Sequence, residues 1–481
     1  MSYSPEFWHW LALCQHELLL FAGVFFLLGA LDDILVDLVY CALKAGGRLR
    51  TPWHDRNLLR ERPLPGPASV FIPAWNEAEV IGDTLAHLLG AWRQPDLRVY
   101  LGCYANDPET IAAASAAAGG DPRLRLVVNP RKGPTTKADC LNRLYRAMCE
   151  DERRTGRDFA LVVFHDAEDL VDGGALGLLA QAVARGADFV QLPVEPLVQR
   201  YRSWFDNQLG SHYCEEFAEA HGKTMMVRDA LGAAIPGAGV GCGVARGMLA
   251  RLAAQQRDGC PFSSESLTED YELGLSVHEL GGVCRFVRAR GEDSTLIATR
   301  AFFPARLDHV VRQKTRWVHG IALQGWDRIG WGERWAERWM RARDRRGPFA
   351  GLVLAVGYAL IVLTALGGIA TLAGLIAPRP LTPVLKALLL LNMVAFGWRV
   401  CWRFAFTLRV YGWAEALRAV LRIPIANLVA IMAGRRAVMA YIANLKGGAL
   451  VWDKTPHVRH PAAPPAPAGS ERGPAMAATF L

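Results

Sequence analysis

Residues 160–169 read ALVVFHDAED, five apolar residues followed directly by a polar and acidic cluster. A short apolar run of this kind predicts a buried β-strand, and the acidic cluster would be a poor continuation of it. Asp166 and Glu168 point the same way if the chain stays extended, and carboxylate oxygens suit Mg²⁺ and Mn²⁺. We therefore predict that Asp166 and Glu168 bind a divalent cation. The alternative is that the cluster caps a following helix.

The sequence around this stretch alternates apolar strand patterns with amphipathic helix patterns. The predicted strands are Ala68–Pro73, Leu97–Cys103, Leu124–Val128 and Phe159–His165, and the predicted helices are Glu77–Trp92, Pro108–Ala118 and Lys137–Cys149. This alternation indicates an α/β domain with a mostly parallel, Rossmann-like sheet, which we place at 67–345. The ligand site of such a sheet lies at the carboxyl ends of its strands.

Polar motifs also stand at or near the ends of other predicted strands. In FIPAWNEAEVI (71–81), Asn76 and Glu77 are placed to contact a nucleoside, although helix capping explains them equally well. In YAND (104–107), Asp107 could accept a hydrogen bond from a uracil-like base, although Asn-Asp-Pro is also an ordinary turn signal. In GPTTKADCLN (133–142), Lys137 at a helix start could neutralise phosphate, with a solvated lysine as the alternative.

Two further motifs contain residues that could contact a sugar or a diphosphate. The glycines of GAGVGCGVAR (237–246) would let the backbone approach a sugar closely, and we assign Gly243 and Arg246 to acceptor binding, with a flexible loop as the alternative. In QKTRW (313–317), Arg316 can grip a diphosphate, and Trp317 offers a flat face on which sugars stack. A tryptophan at a membrane interface is the alternative for Trp317.

The tripeptide Thr268-Glu269-Asp270 begins an amphipathic helix. Acidic residues in a first helical turn are ordinary capping chemistry, so this motif alone indicates no function. A second acidic group contains His212, Cys214, Glu215, Glu216 and His221. It could bind a second metal, although an amphipathic helix near the acceptor is the simpler interpretation.

The chain has 481 residues, a formal net charge of +8 and 52% apolar residues. Its basic residues cluster at 44–62 and 334–346, directly beside apolar segments, as the positive-inside rule predicts for cytoplasmic helix ends. Neither cluster lies in a recognisable nucleic-acid-binding motif, so we expect no nucleic-acid partner. The ten cysteines contain no C-x-x-C pair, which indicates reduced cytosolic thiols. We expect no removable signal peptide, because the first ten residues lack basic charge.

Apolar runs at 18–43, 351–377 and 384–406 are long enough to cross a bilayer, so the bilayer is an expected partner. The segment 414–445 favours amphipathic interfacial helices, with a short fourth span as the alternative. We predict an N-terminal membrane helix at 1–45, a basic cytoplasmic linker at 46–66, the α/β domain at 67–345, membrane helices at 346–410, interfacial helices at 411–460 and a disordered tail at 461–481.

Carboxylates are costly at bilayer depth, so Asp32, Asp33 and Asp37 of the first run should lie near the interface or face protein. Arg399 and Arg403 are four residues apart and share a helix face. This face could pair with the acidic face of the first helix. The alternative is that both arginines extend to the lipid headgroups.

In this order on one chain, the motifs resemble the processive family-2 glycosyltransferases, the group that contains cellulose and hyaluronan synthases. More narrowly, the chain resembles the phage-adsorption protein B branch, which is linked to a bacterial surface polysaccharide. This resemblance covers about 30–457. It rests on LDDILVDLVY, PAWNE, NDPET, GPTTKADCLN, HDAED, LTEDYELG, RQKTRW and VWDKTPH.

The resemblance implies a GT-A-type catalytic domain in the cytoplasm, on a multi-pass protein of the bacterial inner membrane. It implies an inverting transferase that uses Mg²⁺ or Mn²⁺ and moves a sugar from a nucleotide-diphosphate donor, expected to be a UDP-sugar, to a growing polysaccharide. The roles implied are nucleotide and donor binding by Asn76, Glu77, Asp107, Lys137, Gln313 and Arg316, metal binding by Asp166 and Glu168, general-base catalysis by Asp270, and acceptor binding by Glu269 and Trp317.

The chain departs from the family's Asp-x-Asp pattern at Glu168, which leaves open whether Glu168 or Asp169 is the second metal ligand. Further partners implied are a carbohydrate acceptor, an outer-membrane export protein and a separate regulatory subunit. Two other functions are alternatives to the growth of a polysaccharide. One is a non-processive transferase that glycosylates a membrane lipid, and the other is a catalytically inactive receptor or scaffold.

Overall fold

The computed structural model describes residues 5–201, 203–374, 377, 380–447 and 460–463. The predicted disordered tail lies outside the described residues from 464 onward. The VWDKTPH motif at 451–457 also lies outside them.

Nine strands are found in the described part of the chain. They are β1 (Ala68–Pro73), β2 (Leu97–Tyr104), β3 (Leu124–Asn129), β4 (Leu161–Phe164), β5 (Phe189–Gln191), β6 (Val194–Pro196), β7 (Cys242–Ala245), β8 (Cys284–Phe286) and β9 (Thr299–Ala301). Seven form one sheet in the order β3-β2-β1-β4-β7-β5-β8, and β6 pairs with β9. Only β7 runs antiparallel to its neighbours β4 and β5 in the described sheet, so the predicted, mostly parallel sheet is confirmed.

Helices surround this sheet and extend from it. In chain order they are α1 (Pro5–Ala45), α2 (Arg56–Glu61), α3 (Ile81–Ala91), α4 (Pro108–Ala118), α5 (Lys137–Thr155), α6 (Ala175–Ala184), α7 (Trp204–Glu219), α8 (Met225–Ala230), α9 (Arg246–Gln255), α10 (Glu269–Glu279), α11 (Leu307–Val318), α12 (Gly325–Ile329), α13 (Trp335–Arg345), α14 (Gly347–Leu372), α15 (Pro383–Tyr411), α16 (Trp413–Leu421) and α17 (Ile423–Leu445). Short π-helical turns at Ala220–Thr224 and His319–Gln324 join α7 to α8 and α11 to α12.

Local signals explain where several helices begin and end. The side chain of Asp107 caps α4, a proline opens its first turn, and Gly119 ends it with φ 53°. Helix α3 begins at Ile81, four residues later than predicted. The cause is Asn76, whose φ of 54° turns the chain sharply after β1.

Two apolar layers cover the two faces of the sheet. On one face, side chains such as Ile72 and Val163 pack against Leu88 and Leu176 of α3 and α6. On the other face, Phe71 and its neighbours pack against α5, α9 and α10. A sheet that is buried on both faces leaves its strand ends as the place for polar chemistry.

Four helices among the described residues are long and apolar enough to cross a membrane: Trp10–Ala45, Gly347–Leu372, Pro383–Tyr411 and Ile423–Leu445. The last of these, α17, also packs along the α/β domain. Near its start Val429 packs with Tyr213 and Val310, and near its end Asn444 lies 3.2 Å from His319. Helix α17 also packs along α14, where Asn427 Nδ2 donates to Tyr358 Oη at 3.3 Å, and its 23 residues fit the fourth span that we gave as the alternative to a surface position. The number of spans and the domain limits stay predictions.

Asp32, Asp33 and Asp37 of α1 face protein. Asp37 is fully buried and pairs with the buried Lys223. Asp33 Oδ2 lies 3.4 Å from Arg399 Nη1, which confirms the pairing predicted between α1 and α15 for this arginine. Arg403 interacts electrostatically with carboxylates of α7 instead.

Candidate active site

A cleft opens at the carboxyl end of β4, beside the starts of α5 and α10. Its lining residues are Thr136, Lys137, Asp166, Glu168, Asp169, Val194, Phe217, Ala238, Val240, Ser266, Leu267, Thr268, Glu269, Asp270, Ala301, Phe302, Phe303, Pro304, Gln313, Arg316 and Trp317. One end of this set is charged and the other is apolar and aromatic. Such a division suits a ligand with a phosphate end and a sugar end.

The acidic loop after β4 presents two carboxylates and turns the third inward. Asp166 and Glu168 are half-buried and line the cleft. The Asp169 side chain is buried, and its Oδ2 lies 2.8 Å from His165 Nδ1 and accepts a hydrogen bond of 2.9 Å from the Asp166 backbone N–H. Burial raises the pKa of Asp169, which hydrogen bonding to His165 partly offsets. Asp169 therefore holds the loop in shape, and Asp166 and Glu168 face the ligand space.

Lys137 supplies the positive charge of the cleft. It stands at the start of α5, which Thr136 caps by accepting a hydrogen bond of 3.2 Å from the Asp139 N–H. Its Nζ lies 2.5 Å from Asp166 Oδ1 and 3.8 Å from Glu269 Oε1. Burial disfavours the charged lysine, but the carboxylates of Asp166, Glu269 and Asp270 outweigh burial and raise the pKa of Lys137.

Asp270 lies in the first turn of α10 and faces the same cleft. Its Oδ1 accepts a hydrogen bond of 2.8 Å from the Tyr271 N–H. Burial raises the pKa of Asp270, and the nearby Lys137 acts in the opposite direction. Gly239 packs against this carboxylate with φ 81°, and a Cβ there would lie 2.6 Å from Asp270 Oδ2. Glycine therefore permits both the turn and the close approach.

Three residues of α11 complete the cleft, and one of them, Trp317, belongs to its aromatic side. Gln313 Oε1 accepts a hydrogen bond of 2.7 Å from Tyr213 Oη. Trp317 packs with Tyr213, Phe217 and Phe303 at ring-centroid distances of 6.0, 6.4 and 6.5 Å. Arg316 lies beside them, and its buried Nε has no hydrogen-bond partner among the described residues.

The motifs after β1 and β2 meet in a separate group beside the cleft. Asp107 accepts hydrogen bonds of 2.6 Å from the Asn76 N–H and 3.4 Å from the Thr110 N–H. The Glu77 N–H donates to Thr110 Oγ1 at 2.9 Å. The Asp107 side chain thus caps α4 and holds the backbone at Asn76, whereas α3 follows Val80 without a side-chain cap, so Asn76 and Glu77 do not cap it. A Tyr104–Thr135 hydrogen bond of 2.7 Å connects this group to the segment that leads into Lys137.

The comparisons with known proteins agree with this geometry. A family model described as "Glycosyltransferase like family 2" matches residues 65–320. The chain belongs to this family. The glycosyltransferase is 31% identical over 467 residues to bacteriophage adsorption protein B of Escherichia coli strain K12. The match covers 90% of this chain and 61% of that protein. Bacteriophage N4 adsorption protein B of Escherichia coli O157:H7 matches with 31% identity over 467 residues and the same coverage.

A solved structure shows the same fold. The mannosyltransferase PcManGT from Pyrobaculum calidifontis, in complex with GDP-Man and Mn²⁺, superposes with a TM-score of 0.50 at 16% identity. The match covers 85% of the glycosyltransferase and 99% of that chain. Together these findings confirm the predicted family resemblance, the GT-A-type fold and the assignment as an enzyme. The glycosyltransferase spans 61% of the length of the curated relatives that it matches.

The structure does not bring Gly243 and Arg246 to the cleft, which contradicts our prediction for both. Gly243 lies inside β7, where a Cβ would meet Leu161 Cδ1 at 2.8 Å. Arg246 pairs with Glu152 at 2.7 Å. The reason is that β7 runs antiparallel to β4, with its first residue opposite Phe164, so the chain moves away from the site after 242.

The second acidic group forms structural contacts and no metal site. Glu215 pairs with Arg422 at 2.7 Å, and the Val194 N–H donates to His221 Nδ1 at 2.9 Å. Cys214 lies against the carbonyl of Pro196. In the part of the chain that the structure describes, no three His, Cys, Asp or Glu side chains form a metal-binding group.

Several residues of the site were missed in the sequence. Gly239 could have been found from the GAG pattern, because a glycine between small residues often marks a left-handed turn. The aromatic ring of Phe303 and the inward roles of His165 and Asp169 carry no local signal. A contact from the far end of the chain was equally invisible: His460 Nε2 lies 3.1 Å from the Asp169 carbonyl oxygen.

Proposed function

We propose that this glycosyltransferase is an inverting, metal-dependent enzyme that transfers a sugar from a nucleotide-diphosphate sugar to a growing polysaccharide at the bacterial inner membrane. One observation carries the proposal. Lys137, Asp166, Glu168 and Asp270 line a single cleft, and this cleft continues into the aromatic group around Trp317. A charged end for the diphosphate, a carboxylate for the acceptor proton and an aromatic surface for sugars therefore lie together.

The residues of the acidic loop fit a divalent cation of the Mg²⁺ or Mn²⁺ type. Asp166 and Glu168 offer hard oxygen ligands, whereas the Asp169 carboxylate is held by His165 and the backbone. We therefore propose Asp166 and Glu168 as the ligands. When bound, the cation would stabilise negative charge on the departing diphosphate. Two protein carboxylates leave coordination positions for phosphate oxygens.

Two groups of residues would bind the donor, one at its diphosphate and the other at its nucleoside. Lys137, Gln313 and Arg316 would hold the diphosphate, and the buried Arg316 Nε, which bonds to no described residue, fits this role. Asn76, Glu77 and Asp107 would form the nucleoside end. Asp107 already accepts two backbone hydrogen bonds, which leaves about two of the four acceptor positions of its carboxylate for a base such as uracil.

Asp270 would act as the general base in a single displacement. It takes the proton from the acceptor hydroxyl, the hydroxyl oxygen forms a bond to the anomeric carbon, and the bond from that carbon to the diphosphate oxygen breaks. Attack and departure on opposite sides invert the anomeric configuration. Burial raises the pKa of Asp270, which makes it a better proton acceptor than an exposed aspartate.

The acceptor would lie between Asp270 and the aromatic group, with Trp317 as a stacking surface and Glu269 close by. Four long apolar helices and the basic residues beside them support a position of this cleft next to a bilayer, on its cytoplasmic side. An export protein in the outer membrane and a regulatory subunit would be needed for a secreted and controlled polymer. A single transfer to a membrane lipid is the competing activity.

The proposal is tested by incubating the purified full chain in lipid nanodiscs with a panel of nucleotide sugars and Mg²⁺. Release of free nucleotide that requires both the cation and Asp270 would support it. A ladder of products on a gel supports chain growth, whereas one added sugar on an extracted lipid supports the competing activity. Absence of nucleotide release with every donor would instead favour an inactive receptor.

A further inference from the structure

Helix α13 lies between the first membrane helix and the α/β domain, and one side of it binds the membrane helix. Arg343 Nη2 lies 2.8 Å from Asp33 Oδ1, and Arg346 Nη1 lies 2.8 Å from Asp32 Oδ2. Trp339 Nε1 donates to Asp32 Oδ1 at 2.6 Å. Two side chains of α13 and that of the residue after it thus hold two adjacent carboxylates of α1.

The other side of α13 holds the helix that carries Asp270. Asp344 follows Arg343 in sequence, and its Oδ2 accepts a hydrogen bond of 3.0 Å from Tyr271 Oη. Arg228 Nη1 donates to both oxygens of the same carboxylate at 2.9 Å. Tyr271 and Arg228 are buried, so their polar groups depend on this carboxylate. Since Tyr271 directly follows Asp270, this contact fixes the first turn of α10.

A second contact of α13 reaches Asp270 through the glycine loop. The buried Glu337 accepts a hydrogen bond of 2.8 Å from the Ala234 N–H. Three residues later Gly237 passes so close to α10 that a Cβ would lie 2.5 Å from the Asp270 carbonyl oxygen. Gly239 then contacts the Asp270 carboxylate itself. Helix α13 therefore supports both elements that pack against Asp270.

We propose that α13 sets the position of Asp270 relative to the first membrane helix, with Tyr271, Asp344 and Glu337 as positioning residues. This inference rests on the proposed role of Asp270 as the general base. Proton transfer requires a well-placed base, and a small misplacement costs much of the rate. A displacement of α1 against the domain would then change turnover while the donor-binding residues stay in place.

The test compares Tyr271→Phe, Asp32→Asn and the double variant in the full chain in nanodiscs. Tyr271→Phe removes the bond of α10 to Asp344, and Asp32→Asn removes the carboxylate that Trp339, Arg343 and Arg346 hold on the opposite side of α13. We expect each to lower kcat by about tenfold, with donor KM and nucleotide affinity unchanged. Because both act through one helix, the double variant should be no slower than the slower single variant.

Tyr441→Phe is the matched control. Its phenol also donates to a carboxylate, that of Asp327 at 2.6 Å, but this exposed bond joins α17 to α12 and not to α13. It should keep full kcat. Wild-type kcat in Tyr271→Phe, or multiplied losses in the double variant, would overturn the inference. Full turnover in Asp270→Asn would instead remove the proposed base, and the inference with it.

Discussion

Lys137 Nζ lies 2.5 Å from Asp166 Oδ1 and 3.8 Å from Glu269 Oε1, so one ammonium group joins the acidic loop after β4 to the start of α10. These two elements are more than a hundred residues apart in sequence. Their carboxylates would repel one another without a cation between them. Lys137 therefore stabilises the charged end of the cleft and supplies a positive charge there that a phosphate can contact.

Replacing Lys137 by methionine should weaken donor binding by about tenfold or more, because the change removes the partner of buried carboxylates and a phosphate contact. Isothermal titration with a nucleotide-diphosphate sugar measures this directly. Lys132 lies in the same segment but is exposed, so Lys132→Met is the matched control and should bind normally. Equal affinities for the two variants would contradict the role of Lys137.

We expect substitutions of the three carboxylates in the acidic loop to differ in their effect on cation-dependent nucleotide affinity. Asp166→Asn and Glu168→Gln should each abolish the gain in nucleotide affinity that Mg²⁺ or Mn²⁺ provides, and chelation with EDTA should do the same to the wild-type protein. Asp169→Asn should keep part of that gain, because Asp169 bonds to His165 and the backbone and would act only through the loop. Titrations with and without the cation measure all three. A Glu168→Gln protein with normal cation dependence would point to a different ligand set.

Gly239→Ala should lower kcat by about tenfold or more, since a Cβ would push against the Asp270 carboxylate. The left-handed backbone adds about 1–2 kcal/mol of strain. Gly186 gives the control: it has φ 96° and nothing within 4 Å of an added Cβ, so Gly186→Ala carries strain without the contact. Both variants should melt at lower temperature, and only Gly239→Ala should lose turnover. Similar kcat values for both would show that the contact does not matter.

Arg246→Gln should destabilise the protein without changing acceptor KM, because Arg246 pairs with Glu152 away from the cleft. The loss should be about 1–3 kcal/mol, the range for a charged hydrogen bond that loses one partner. Thermal melting and acceptor kinetics on the same preparation separate the two effects. A raised acceptor KM at normal stability would restore the original prediction for this residue.

The parts that could be predicted from the sequence are those set by neighbouring residues. Strand β1 and helix α4 were predicted with their observed limits, since an unbroken apolar run and an Asp-Pro cap determine them. Local patterns also pointed to Asp166, Glu168 and Lys137, because polar residues at strand ends and helix starts are visible in the sequence, whereas Asp270 was assigned only through the family resemblance.

The predictions that failed, and the contacts that were missed, mostly involve segments that are distant in sequence. Nothing in GAGVGCGVAR shows that β7 is antiparallel, and this direction alone decides that Gly239 reaches the cleft and that Gly243 and Arg246 do not. The contact of Asp344 with Tyr271 joins residues 73 apart in sequence. The inward turn of Asp169 is a local exception, because it depends on the buried His165 ring four residues earlier.

The central claim is that Asp270 takes a proton from the acceptor while other residues hold the donor. Asp270→Asn keeps the shape of the side chain and removes its basicity, so kcat should fall by about 10²–10⁴-fold. The affinity for the nucleotide sugar with Mg²⁺ should stay at the wild-type value. Turnover and donor affinity measured on one nanodisc preparation decide the matter. Full turnover in this variant, or a loss of turnover explained by lost donor binding, would contradict the account.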